Sequence, residues 1–238
     1  MQKSIIFLFV CVFLFPAFAS ASEYDIFSKD LIKPYGLFKK SLALTSKKDD
    51  LDKAKETTKQ FVSAWEGFAE KYAKDVPTPF KSIEDFAGRI RKPSDIAKAA
   101  LSALEAEDVA KAHSVLEEIR YILWDMRVRA GIVSLNDKIN DFHEAMEIVL
   151  EKIGTAKDSG DLMAVYERYG AWFSIKWEEI FLTKDYGTEG KTYDEALKEG
   201  RDSIRKLNDA MKAGNKDAAL KLSSSVKNSY KKLFFMPI

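Results

Sequence analysis

Each of the two histidines in this 238-residue chain is followed four positions later by a glutamate. His113 and Glu117 stand in AHSVLEEI, and His143 and Glu147 in NDFHEAMEIVLE. On a helix, side chains four apart lie one turn from each other on one face. Each pair can therefore offer an imidazole nitrogen and a carboxylate oxygen to one transition metal, with Fe, Zn or Cu suited to that donor set. If the helices before and after Gly131 pack antiparallel, residues whose numbers sum to about 260 are level. His113 is then level with Glu147, and Glu117 with His143, and the two pairs form a single four-ligand site.

Facing points the other way. Leu135, Ile139, Phe142, Met146, Val149 and Ile153 share one helical face. His143 lies roughly 70° from its centre, Glu147 roughly 110°, and Glu144 almost opposite. In the preceding helix Leu104, Val115, Ile119, Ile122, Leu123 and Met126 mark the apolar side. His113 and Glu117 project roughly 125–165° away from it, beside Trp124 and Val128, which turns them toward water in a simple bundle. Exposed pairs at this spacing are mostly ordinary surface pairs.

Haem b needs a second axial ligand opposite a histidine. Met146 shares its helix with His143, and Met126 sits near the turn, so a partner would have to come from Met163, Met211 or Met236 on distant segments. Filling of core gaps accounts for the methionines more simply. Enzyme signatures are missing: there is no nucleophile in a recognisable turn, no Gly-rich phosphate loop and no His-Glu-x-x-His. Glu117-Glu118 and Glu178-Glu179 are neighbours on helices, so their carboxylates diverge and do not suit paired acid–base work. The expectation is a non-catalytic protein.

The chain opens MQK, continues with the apolar SIIFLFVCVFLFP, and ends that run in AFASAS. A positive start, a short apolar core and small-x-small residues at Ala17-Phe18-Ala19 and Ala19-Ser20-Ala21 read as a secretory signal peptide over residues 1–21. The run is short for a membrane-spanning helix, which needs about 20 residues. Export to the periplasm or outside the cell follows, with no membrane anchor after cleavage. The leader takes with it Cys11, the one cysteine, so the mature protein has no disulfides, no thiolate metal ligands and no Cys-x-x-Cys-His haem link. It also takes Lys3, which leaves 37 basic against 37 acidic residues from an initial 38 and 37. That balance argues against nucleic acid, since phosphate binding needs clustered, unopposed Lys and Arg. Roughly 217 residues remain, enough for one large core or two small ones.

Nearly everything after Leu31 has helical period, and Gly and Pro fall at boundaries. Pro34 is placed to begin a helix through GLFKKSLAL. A second helix runs from about Asp50 with Phe61, Trp65, Phe68 and Tyr72 on one side, until VPTPF breaks it. RKPSDIAKAA restarts with Ser94 or Asp95 as cap. That segment turns near Ala106–Asp108 and continues to about Arg129. Further helices span Ile132–Ile153, Leu162–Ile180 with its broad aromatic face, Tyr193–Met211 and Lys216–Phe234, with TKDYGTEGKT as a loop. The aromatics from Tyr166 to Phe181 read as core before they read as a ligand pocket.

Two joints align closely: LEAEDVAKAHSVLEEI with MKAGNKDAALKLSSSV, Ala106 over Ala213, Asp108 over Asn215 and Ile119 over Val226. A looser match sets Glu56 over Glu167, Phe61 over Trp172 and Ser63 over Ser174. The fold expected is an all-α helical bundle made of two related four-segment halves, 22–131 and 132–238.

The joint LEAEDVAKAHSVLEEIR resembles the helical hairpins of extracytoplasmic domains attached to bacterial iron permeases. A signal peptide followed by a duplicated helical body is similar to the imelysin and cytochrome b562 groups of periplasmic bundles. Imelysin-type proteins use Gly-x-His-x-x-Glu. Here His143 follows Asp141 and Phe142, with Met146 three beyond, so that motif is not met. The resemblance implies a periplasmic setting in which metal or haem is handled. Two functions are expected from these features. One is transition-metal binding by His143 and Glu147, with His113 and Glu117 as further ligands. The other is a scaffold for an unidentified protein partner, docked on an apolar patch around Trp124 and Val128.

Overall fold

A computed structural model describes residues 15–47, 50–183 and 191–236, with side chains from residue 23 in the first stretch and from 192 in the last. The chain is all-α: the described residues form eight α-helices and no strand. They group into two compact units, Met1–Gly131 and Ile132–Ile238.

The first unit holds α1 (Phe15–Lys47), α2 (Leu51–Lys74), a 3₁₀ turn at Thr78–Phe80, α3 (Phe86–Glu105) and α4 (Val109–Arg129). Consecutive helices pack against one another, and α1 closes the ring against α4. Helix α2 starts where sequence places it, with the Asp50 carboxylate accepting from the Lys53 N–H. Its Phe61, Trp65, Phe68 and Tyr72 are all buried. Pro34, read as a helix start, and Pro93, read as standing just before a helix capped by Ser94 or Asp95, are both interior instead. Pro34 lies within α1, and Pro93 within α3, which begins at the Asp85 cap. A proline inside a helix removes one hydrogen bond and costs about 3 kcal/mol. Phe27, Tyr35, Phe38 and Leu42 are buried on both sides of Pro34, as are Phe86, Ile90, Ala97 and Ala100 around Pro93. Burial of each large apolar side chain is worth about 1.5–3 kcal/mol, enough to carry the helix through the defect. Ser94, expected as a cap, sends its hydroxyl back to the Arg91 carbonyl at 2.8 Å.

The second unit holds α5 (Leu135–Thr155), α6 (Ser159–Leu182), α7 (Lys191–Lys212) and α8 (Lys216–Phe234), with the same ring of contacts and α5 against α8. Most of the expected loop TKDYGTEGKT, residues 184–190, lies outside the described residues.

The units share detail. After α3, the Asp108 N–H reaches the Ala103 carbonyl and Glu107 N–H the Leu104 carbonyl; after α7, Asn215 reaches Ala210 and Gly214 reaches Met211. Both are Schellman turns, with Glu107 and Gly214 left-handed at φ 61° and 65°. Asp108 and Asn215 then cap α4 and α8. In the second helix of each unit a tryptophan donates to a carbonyl of the third: Trp65 to Ile90 at 2.7 Å, Trp177 to Leu197 at 2.9 Å. Phe61 and Phe173 each precede that tryptophan by one turn, and both are fully buried. Trp172, which the sequence alignment set against Phe61, stands next to Phe173.

Candidate functional site

Each His/Glu pair is brought together within its own helix. His113 and Glu117 stand on α4, in the first unit, and His143 and Glu147 on α5, in the second.

His113 is half-buried, with one side of its ring held by the protein. Its Nδ1 lies 2.9 Å from Oγ1 of Thr45, which is buried on α1. The Thr45 hydroxyl also contacts the carbonyls of Ser41 and Leu42 at 3.0 and 3.1 Å, and these can only accept. With its one proton given to the backbone, Thr45 accepts toward the ring and Nδ1 carries the proton; with that proton given to the ring, Nδ1 accepts, so the roles follow the tautomer. Nε2 faces Oε1 of Glu117 at 3.5 Å, while Oε2 of Glu117 lies 3.0 Å from Nε of buried Arg120. An imidazole nitrogen facing a carboxylate needs a proton or a cation between them. A histidine whose other N–H is held by a neighbouring acceptor is also how metal-bound imidazoles are oriented.

The helical wheel failed here because it centred the wrong residues. The buried face of α4 consists of Ala112, Leu116, Ile119, Arg120, Leu123, Met126 and Arg127, whereas Val115 and Ile122 are only half-buried. Packing between α3 and α1 covers a wide arc that takes in the stems of two arginines and leaves His113 at its edge.

His143 sits on the edge of its apolar face, as the wheel placed it. The ring stacks on Tyr230 of α8, with centroids 4.8 Å apart and planes at 24°. Glu147 Oε1 is 3.9 Å from its Nε2, too long for a hydrogen bond, and 3.4 Å from Nζ of Lys227. Glu144 is exposed. Among the described residues no three His, Cys, Asp or Glu side chains stand where they could hold one ion together.

Sequence reading missed two polar assemblies of the second unit. Lys138 and Lys176 both reach Glu179, at 3.0 and 3.2 Å, and lie 3.8 and 3.9 Å from Asp141. Burial raises the Asp141 carboxyl above its ordinary range against the pull of both lysines. Burial acts on Glu179 in the same sense, but the lysine hydrogen bonds outweigh it and hold that carboxyl low. The residues come from α5 and α6, and only the i,i+3 spacings within each helix had a sequence signal.

The other assembly is a cleft of about 250 Å³ between α6 and α7, lined by Tyr166, Trp177, Ile204, Arg205 and Asn208. Arg201 closes one side with a two-pronged bond to Glu178 at 2.6 and 2.5 Å. Asn208 donates to the Gly170 carbonyl and the Ser174 hydroxyl. Of the aromatic stripe, Phe173 and Trp177 are core, and Tyr166 borders this cleft. Glu178 and Glu179 point to different partners, as adjacent helical residues must.

On the outside of α4, Tyr121, Trp124 and Val128 are 55, 39 and 50% exposed. They recur at three- and four-residue spacing, so they form one stripe along the helix. Among the described residues no helix is long and apolar enough to cross a membrane. No family model, curated protein or solved structure matches the chain.

Proposed function

We propose that this is an exported, non-catalytic helical protein, periplasmic in a two-membrane bacterium and secreted otherwise, that binds an amphipathic helix of a partner protein. The observation that carries the reading is the exposed stripe Tyr121, Trp124 and Val128. Tryptophan and tyrosine are the side chains that most often anchor interfaces, and a stripe at this spacing fits the apolar face of one helix. The two units are read as copies of one four-helix element, a reading supported by the matched Schellman turns and the matched tryptophan bonds. A photoreactive amino acid in place of Val128, activated in the cells that make the protein, tests the docking. The expected result is one discrete adduct that disappears in a Trp124→Glu background with helicity unchanged; no adduct, or one that survives Trp124→Glu, removes it.

A second reading is transition-metal binding. It is favoured by the Thr45–His113 hydrogen bond, which leaves Nε2 directed at Glu117, and it extends to His143 and Glu147 as the matching pair. Titration of the exported protein with Fe(II), Zn(II) and Cu(II) should show binding that a His113→Ala, His143→Ala double variant loses. Equal binding by both proteins would end this reading. Haem b, the further alternative, predicts new absorbance bands when haem is added.

A further inference from the structure

We propose that the chain is processed at the Ala21–Ser22 bond, and that Ser22-Glu23-Tyr24-Asp25 is built to cap helix α1 once the bond is cut. The inference rests on the export reading. Ala19-Ser20-Ala21 places small residues first and third before the bond, as leader cleavage requires. The next four residues spell Ser-x-x-Asp, the pattern in which a serine and an acid three residues on satisfy each other's backbone N–H groups at a helix start.

In the uncut chain the helical backbone runs from Phe15, so this pattern lies inside α1, where there is no end to satisfy and where Ser and Asp are poor helix formers. The second unit shows the same device at work at its first helix. There Ser134 Oγ accepts from the Asp137 N–H at 3.2 Å, and Asp137 Oδ2 accepts from the Ser134 N–H at 3.0 Å.

Contacts just past the bond explain why the new end must not fray. The Glu23 carboxylate accepts from the Thr78 N–H at 2.7 Å, Tyr24 lies against Phe80, and Phe27 is buried among Phe68, Tyr72 and Phe80. Hydrolysis adds water across the bond, giving Ala21 a carboxylate and Ser22 an α-ammonium. That positive charge opposes the helix dipole, and the Asp25 carboxylate, aimed at the Ser22 nitrogen by the box, together with Glu23 offsets it.

The test is to express the full-length chain in a bacterial host and determine the N-terminus and intact mass of the exported product, for the natural chain and for Ser22→Ala and Ser22→Asn. Ser22, or its replacement, is expected as the first residue in all three. Ser22→Ala should melt lower by about 2–4 °C, and Ser22→Asn, an equally good cap, should melt with the natural protein. A different first residue, or a Ser22→Ala protein that melts unchanged, overturns the proposal while export stands. A product that keeps its whole leader overturns the export reading and this one with it.

Discussion

The indole of Trp177 lies directly on the backbone of Gly200, so closely that a Cβ built on that glycine would come 1.8 Å from Cζ2 of the ring. The contact lets Nε1 reach the Leu197 carbonyl three residues earlier. In the first unit Trp65 bonds to Ile90, and the residue three beyond that carbonyl is Pro93. Gly200→Ala should therefore displace a fully buried tryptophan. The expected cost is about 1–3 kcal/mol, at the upper end because backbone and ring are both rigid. Urea unfolding followed by tryptophan fluorescence checks it, and an unchanged midpoint would mean that the helices separate freely.

The two Schellman turns make a natural pair for substitution. Glu107 takes the left-handed conformation at a cost to any L side chain of about 1–2 kcal/mol, part of which is returned because glycine loses more freedom on folding. Glu107→Gly should stabilise by about 0.5–1 kcal/mol. Gly214→Ala should destabilise by more than that, since a Cβ there would also stand 2.7 Å from Cβ of Ser159. Thermal melts of both variants decide it; opposite signs are required.

Lys39 is almost wholly buried, and burial pushes its ammonium down to about 8 from an ordinary value of 10.5. With the folded value below the unfolded one, the unfolded chain binds more protons between about pH 8 and 10.5, so stability rises with pH across that window. Below about pH 8 the whole penalty is present. Lys39→Met should stabilise at pH 7 by about 1–3 kcal/mol, taking 1.36 kcal/mol per unit as an upper guide, and should flatten the rise. Denaturation midpoints measured from pH 7 to 10.5 on both proteins would show this, and parallel curves would contradict it.

Which ring nitrogen of His113 carries the proton is open to direct observation, and a proton on Nδ1 is the assignment in which Thr45 accepts from the ring. Nitrogen-resolved NMR at neutral pH should find Nδ1 protonated and its proton slow to exchange. Thr45→Val should lose that slow signal and cost about 1–3 kcal/mol, because it leaves a ring N–H without its acceptor. An Nδ1 that is unprotonated in the natural protein would refute the assignment.

Much of the architecture was legible in the residues. The period of Phe61, Trp65, Phe68 and Tyr72 marks α2, and Asp50 and Asp108 mark helix starts, because helix formation and capping depend on groups within a few positions. The alignment of Ala106 with Ala213 even puts Glu107 over Gly214, the two left-handed residues. Pro34 misled as a helix start, and Ser94 and Asp95 as caps, since local rules for starting helices yield to long-range burial on both sides of the proline.

The His/Glu pairs were legible as pairs, since i,i+4 spacing is local; what surrounds them was not. Thr45 lies 68 positions from His113, and neither residue type announces the other. The buried arc of α4 depends on where α1 and α3 lie, which the α4 sequence alone cannot state, and so the wheel left out buried Arg120 and Arg127 and turned His113 toward water. By itself the sequence determined most of where the helices run, because helix formation depends on the periodicity of near neighbours. Only the tertiary structure decided which side of each helix is covered, that His113 meets Thr45, and that Trp177 rests on Gly200, because each of these depends on the distance to a helix that the chain reaches only after turning back.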